Sequence, residues 1–331
     1  MTAAAQTLAS FRDALRRLLS PTQVEQVLAT MAAPKRQGLW LNPLRNLSRE
    51  RSQDLLARLN ATPVASFGSD QNPINPLLWA VPARQRDALV RLPETEVGQI
   101  YPINPSSVWA AAQLQVQPEQ EVLDLAAAPG GKTLQLAAAM QNRGRIAAVE
   151  PVPARFHRMR ANLERCGVSL VQFYQADGRG IGRKVGERFD AVLLDAPCSS
   201  EARVRLEDPQ SLAHWSLRKV RETSRKQKRL LASAFDALKP GGRLLYCTCA
   251  FSYAENEGVV AHLLQRQPSA QLLPLHATWG AKEPLPATLP GFTRDPARKR
   301  GDEEPSLALS QRLLPNDLWD GFYCALLTKR P

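Results

Sequence analysis

Glu121-Val122-Leu123-Asp124-Leu125-Ala126-Ala127-Ala128-Pro129-Gly130-Gly131-Lys132-Thr133 is the stretch that decides the fold of this chain. It opens with a short apolar run, passes through small residues and two glycines, and enters Leu134–Met140, an Ala/Leu-rich helical pattern. That order reads as a strand, a tight turn and a helix N-terminus. From Ala126 to Gly131 there is no bulky side chain, so a ligand can approach the backbone closely. The free N–H groups and the helix dipole would face that ligand.

Three ligands suit such a turn. The dinucleotide pattern Gly-x-Gly-x-x-Gly fits poorly, because Ala126, Ala128 and Gly131 hold its glycine positions. A P-loop fits at Gly131-Lys132-Thr133, but its first glycine is Ala126 and Pro129 stiffens the loop. The third is S-adenosylmethionine, whose methionine end lies against a small-residue loop of this kind. An ordinary βα turn with a glycine helix start is the bland alternative.

The length of 331 residues suggests two domains and an ordinary soluble enzyme. No apolar run approaches the ~18 residues of a membrane span. Met1–Ala14 carries Arg12 and Asp13 and has no apolar core, so no secretory signal is expected. Five cysteines without a regular framework fit a reducing, cytoplasmic compartment. A formal charge of +12 points to a polyanion, with RNA or DNA ahead of an anionic membrane, although simple solubility would also account for it.

Outward from the loop, residues 1–60 read as helical, with apolar spacing broken at Pro21 and a basic turn at Pro34–Gly38 before Leu39-Trp40-Leu41. Residues 1–98 are expected to form a small basic α+β domain. From 106 onward the pattern is βα repeated, with strands at 121–126, 145–150, 169–175, 189–195 and 242–248 and helices at 131–141, 153–166, 217–238 and 254–267. Alternation of this kind predicts a Rossmann-like parallel sheet covered on both faces, over residues 99–331. Residues 277–319, proline-rich and carrying the mixed-charge run Arg294–Glu304, read as a surface insertion. The closing run Gly321–Leu327 reads as a last strand pairing with 270–275.

Ligands of such sheets lie beyond the carboxyl ends of the strands. Glu150, 19 residues beyond Gly131, is placed to bind a ribose diol, and Asp177 to meet an adenine amino group. Two further adjacent strands end in Asp195-Ala196-Pro197-Cys198 and Cys247-Thr248-Cys249. Most free cysteines are small buried hydrophobes, and Cys166 and Cys324 are read so. Zinc is poorly supported, with no Cys-x-x-Cys pair and scattered histidines, so no metal is expected. Helix 217–238 keeps an apolar face and surrounds it with Arg218, Lys219, Arg221, Arg225, Lys226, Lys228 and Arg229, against the acid Glu222. It reads either as a solvated face or as a phosphate track.

Methylating cytosine at C5 requires a nucleophile at C6, because C5 alone is a weak one; a thiolate adding to C6 makes C5 enamine-like. Cysteines beside a small-residue loop on a basic scaffold suit that chemistry. The residues resemble the RNA cytosine-C5 methyltransferases of the Sun (Fmu) type. The resemblance rests on Asp124–Thr133, Asp195-Ala196-Pro197-Cys198-Ser199, and Thr248-Cys249 followed by Glu255-Asn256-Glu257. Asp177-Gly178-Arg179, Asp208-Pro209, Trp215-Ser216 and Gly321-Phe322-Tyr323 support it. It covers about residues 98–331 and is nearest to the bacterial small-subunit (16S) rRNA members, whose N-terminal RNA-binding region is only faintly echoed by Pro34–Leu59.

The resemblance implies Cys249 as nucleophile, Cys198 as the residue that helps break the adduct, and Lys132 near the reacting centre. It implies Ala126, Ala127, Ala128, Pro129, Gly130, Gly131, Lys132, Glu150, Asp177 and Asp195 as the S-adenosylmethionine site, with Asp195 between cofactor and base. The sequence departs from the family at Asn104-Pro105-Ser106-Ser107, at Ser200 where glycine or alanine is usual, and at Ala250 where serine or threonine is usual. The expectation is a monomeric methyltransferase acting on RNA, rRNA ahead of tRNA. The competing readings are a P-loop NTPase, with Lys132 on phosphates, and a non-catalytic RNA-binding assembly factor.

Overall fold

The computed structural model describes residues 3–65, 78–276, 286–292 and 307–331. Two sheets occur among them. The smaller contains β1 (Gln37–Leu41), β2 (Thr62–Ala65), β3 (Leu78–Val81) and β4 (Ile100–Pro102) in the order β2-β3-β1-β4, all antiparallel. The Leu39-Trp40-Leu41 run is therefore a central strand. Helices Ala3–Arg16, Pro21–Ala32 and Arg49–Arg58 surround this sheet. Pro21 starts the second helix, where its missing N–H costs nothing, and Ser20 and Gln23 form a reciprocal capping box. The strand β4 lies beyond residue 98, so the small sheet draws its edge from past the expected boundary.

The larger sheet is built from β5 (Glu121–Asp124), β6 (Arg145–Val149), β7 (Val171–Tyr174), β8 (Phe189–Asp195), β9 (Leu238–Thr248), β10 (Ala270–Leu273), β11 (Thr288–Pro290), β12 (Gln311–Leu313) and β13 (Phe322–Lys329). Its order is β11-β12-β13-β9-β8-β5-β6-β7, and β10 also pairs with β13, as the sequence suggested. The five strands β7-β6-β5-β8-β9 are parallel, while β13 runs antiparallel to β9. The centre, Ala191–Leu194 of β8, is buried on both faces and apolar throughout, as a doubly covered strand requires.

Helices Gly131–Ala139, Pro153–Arg165, Leu217–Asp236 and Glu257–Arg266 cover it. The last is shorter than expected, because Tyr253–Glu255 forms a separate 3-10 turn before it. Leu217–Asp236 is capped by the Ser216 hydroxyl, which accepts from the Lys219 N–H, and buries Val220, Leu230, Leu231, Ala234 and Phe235.

The described parts of 277–319 correct the surface-insertion reading. β11 and β12 extend the sheet, and Leu307, Leu313, Leu314, Leu318 and Trp319 are buried. Arg312 forms a buried ion pair with Glu257, which takes a large apolar surface to enclose. The Arg294–Glu304 run lies outside the described residues. The basic turn at 34–38 is likewise engaged: Lys35 Nζ reaches Asp320 at 2.9 Å and Arg36 Nε reaches Asp317 at 2.8 Å. The N-terminal region thus docks on the segment preceding β13. Phe11 packs edge-on against Trp215 at 5.2 Å, which joins the first helix to the same body.

Candidate active site

At the carboxyl end of the parallel strands lies a cleft of about 360 Å³. One wall is the loop after β5, contributing Leu125, Ala126, Ala128 and Pro129. Asp195–Cys198, Ser200, Arg203 and Cys249 also line the cleft, as do Glu150 and Asp177, which follow the adjacent strands β6 and β7. Ala127, Gly130, Gly131 and Lys132 are not among the lining residues. Gly130 has φ 104° and begins the helix; a Cβ there would meet Leu163 at 3.1 Å, while one on Gly131 would meet Tyr101 at 3.3 Å. These glycines are set by backbone conformation and packing.

Thr133 Oγ1 donates to Asp124 Oδ2 at 2.7 Å, tying strand to helix under the loop. Burial pushes the Asp124 carboxyl up to about 7, against the lowering effect of that bond. Glu150 is buried and accepts from the Val152 N–H at 3.0 Å, with Arg155 3.4 Å away. Asp177 is held by Arg179, whose hydrogen bonds bring its carboxyl down to about 2. Two carboxylates after adjacent strands, beside a loop of small side chains, suit the ribose and adenine of a nucleoside cofactor.

Lys132 Nζ lies 2.6 Å from Asp195 Oδ2 and 3.1 Å from Ser107 Oγ. Burial opposes the ammonium charge, but Asp195 with Cys247 pushes its pKa up to about 12. A lysine so held is directed at a carboxylate rather than at a phosphate cradle. Ser107 comes from the departing run, in which Asn104 caps the helix Pro105–Ala112 and Ser106 donates to the Asp320 carbonyl.

Cys198 and Cys249, from the ends of adjacent β8 and β9, bring their Sγ atoms within 3.3 Å. Hydrogen bonding from Cys198 lowers the Cys249 thiol pKa and outweighs burial, with Arg203 helping; the same contact raises Cys198. Cys247 is a different kind of residue, buried and close to Asp195 with its thiol at 3.7 Å. Cys166 and Cys324 are buried, as expected for core. Ser200 adopts φ 59°, the left-handed region that glycine enters without strain.

Three residues around the cysteines were not singled out from sequence. Glu255 accepts from the Ser199 N–H at 2.8 Å and its hydroxyl at 2.5 Å. Glu201 accepts from the N–H groups of Phe251 and Ser252 and from Trp215 Nε1. Arg203 lines the cleft beside Cys249. The only sequence signal was for Glu255, which stands in the Glu255-Asn256-Glu257 run.

Residues 111–328 match the 16S rRNA methyltransferase RsmB/F family. The chain belongs to this family. Ribosomal RNA small subunit methyltransferase F of Escherichia coli O139:H28 (strain E24377A / ETEC) is 48% identical over 157 residues, covering 47% of this chain and 33% of that protein. The same figures hold for its namesake in Shigella boydii serotype 18. The matched segment therefore spans about a third of those relatives' length. Among solved structures, a methyltransferase homolog protein from Pyrococcus horikoshii is similar with a TM-score of 0.70 at 29% identity, over 97% of this chain and 99% of that one. NSun6 from the same organism, solved with SFG, gives a TM-score of 0.77 at 21% identity over 97% and 98%, a likeness of fold. S-adenosylmethionine is the cofactor consistent with a methyltransferase family. No described helix is long and apolar enough to cross a membrane, and no described cluster of His, Cys, Asp or Glu is placed to hold a metal.

Proposed function

We propose that the chain is an S-adenosylmethionine-dependent RNA cytosine-C5 methyltransferase acting on rRNA through a covalent Cys249–C6 adduct. The observation that carries this reading is the 3.3 Å approach of two thiols at the wall of the cleft, with Asp195 beside them. Binding alone needs no such pair, which disfavours a non-catalytic assembly factor. Lys132 held by Asp195 disfavours the P-loop reading.

S-adenosylmethionine supplies the electrophilic methyl group. Glu150 and Asp177 would hold its ribose and adenine, with Ala126–Pro129 along its methionine end. Cys249, as thiolate, adds to C6 and forms the S–C6 bond, which makes C5 nucleophilic toward that methyl. Asp195, oriented by Lys132, faces the pyrimidine N3 and N4 edge and favours the addition product. Solvent takes the C5 proton, the electrons of that bond restore the C5–C6 double bond, and the S–C6 bond breaks so that the Cys249 sulfur leaves as thiolate, stabilised by a hydrogen bond from the Cys198 S–H. Residues 1–98 are assigned to docking the RNA.

Incubation with small-subunit rRNA and methyl-labelled cofactor, followed by digestion to nucleosides, tests the reaction. Label in 5-methylcytidine is expected. Label only in another nucleoside, or in none, would overturn the reading.

A further inference from the structure

Glu255 is fully buried in the turn Tyr253–Glu255, outside the catalytic steps given above. Its carboxylate binds Ser199, the residue after Cys198, through both the N–H and the hydroxyl. Gln227 Nε2 donates to the Pro197 carbonyl at 3.0 Å, on the other side of Cys198, and reaches Glu255 Oε1 at 3.3 Å. Ser252, three residues beyond Cys249, donates its hydroxyl to Glu255 at 2.9 Å. One carboxyl group thus gathers the segment around Cys198 and the loop after Cys249.

We infer that Glu255 is a positioning residue that separates the roles of the two cysteines, placing a negative charge beside Cys198 so that Cys198 keeps its proton and Cys249 carries the thiolate. The inference rests on the cysteine chemistry proposed above and adds a residue which that chemistry does not contain. The surroundings are asymmetric in the required sense. Contact with Cys249 and burial raise the Cys198 thiol and the Glu255 carboxylate adds to them, whereas the hydrogen bond from Cys198 lowers the Cys249 thiol with Arg203 helping, against burial and Asp195. Burial first, then the carboxylate of Glu201, pushes Glu255 up to about 7. Its charge therefore grows as pH rises through neutrality.

The test reads the thiols directly, without RNA. Brief iodoacetamide pulses followed by peptide mass spectrometry give the labelling rates of Cys198 and Cys249. The wild type should label Cys249 faster, and the ratio should rise several-fold between pH 6 and pH 8. Glu255→Gln keeps an acceptor for the Ser199 N–H but removes the charge. It should cut the preference for Cys249 about tenfold, since one pKa unit is tenfold in thiolate at a given pH. Calorimetry with S-adenosylmethionine verifies that the variant is folded. An unchanged ratio in a folded Glu255→Gln protein, or a wild-type ratio flat from pH 6 to pH 8, would overturn the inference. Wild-type labelling at Cys198 first would instead contradict the cysteine roles themselves.

Discussion

The Sγ atoms of Cys198 and Cys249 meet at 3.3 Å although 51 residues separate them in the chain. The meeting follows from sheet register. β8 and β9 are adjacent and parallel, Asp195 pairs with Cys247, and each strand runs on by a few residues into its cysteine. Glu150 and Asp177 reach the cleft in the same way, after the ends of β6 and β7.

For the cofactor, Glu150→Ala should weaken S-adenosylmethionine at least tenfold, because a buried carboxylate lining the cleft is removed. Gly130→Ala acts differently. At φ 104° a side chain strains the turn, so stability should fall by about 1–2 kcal/mol, with cofactor affinity less affected. Calorimetry and thermal melts check both variants. Tight ATP binding by the wild type with S-adenosylmethionine ignored would restore the P-loop reading.

Lys132→Met should leave Asp195 without its partner at 2.6 Å. One-sided loss of a buried pair costs about 3–5 kcal/mol, and the partial exposure of Asp195 reduces that to roughly 2 kcal/mol. Adding Asp195→Asn should recover much of the loss in denaturant titrations. A single variant as stable as wild type would show that the pair does not position Asp195.

Asp124 gives a pH dependence of defined sign. Its folded pKa, about 7, stands above the ordinary value of 3.8, so the folded state holds the extra proton. Stability from this group is fully present below pH 4 and declines as pH rises toward 7, at up to roughly 1.4 kcal/mol per pH unit. Asp124→Asn should flatten that part of the stability–pH curve. An unaltered slope between pH 4 and pH 7 would count against the assignment.

How far the sequence revealed this site depended on how local each signal was. The apolar run and glycines of 121–133 specify strand, turn and helix within a dozen residues, so the loop was legible. Cys198 and Cys249 were legible as strand ends, but their contact needed the register of β8 on β9. Glu201, Glu255 and Arg203 sit in short 3-10 turns without periodicity, and Ser199 and Gln227 on Glu255, like Phe251 on Glu201, lie far away in the chain. The same holds for 307–319, where Trp319 and Leu314 sit in the core although the surrounding prolines read as surface.

RNA docking is testable through salt. Lys226 lines the cofactor cleft, so Arg225 and Arg229 are the cleaner probes of the helix Leu217–Asp236. Reversing both to Glu should weaken RNA binding and flatten the log–log salt slope by about one to two units, one for each phosphate that is no longer neutralised. Unchanged affinity and slope would make this helix a solvated face and leave docking to residues 1–98.

The most direct measurement of the account compares Cys249→Ala with Cys198→Ala on one denaturing gel, each incubated with rRNA and S-adenosylmethionine. Cys249→Ala should form no adduct and lose methylation while still binding the cofactor. Cys198→Ala should attack but release poorly, leaving a protein–RNA band that survives denaturation. A band from Cys249→Ala and none from Cys198→Ala would reverse the two roles, and full activity in both variants without a band would contradict the thiol mechanism.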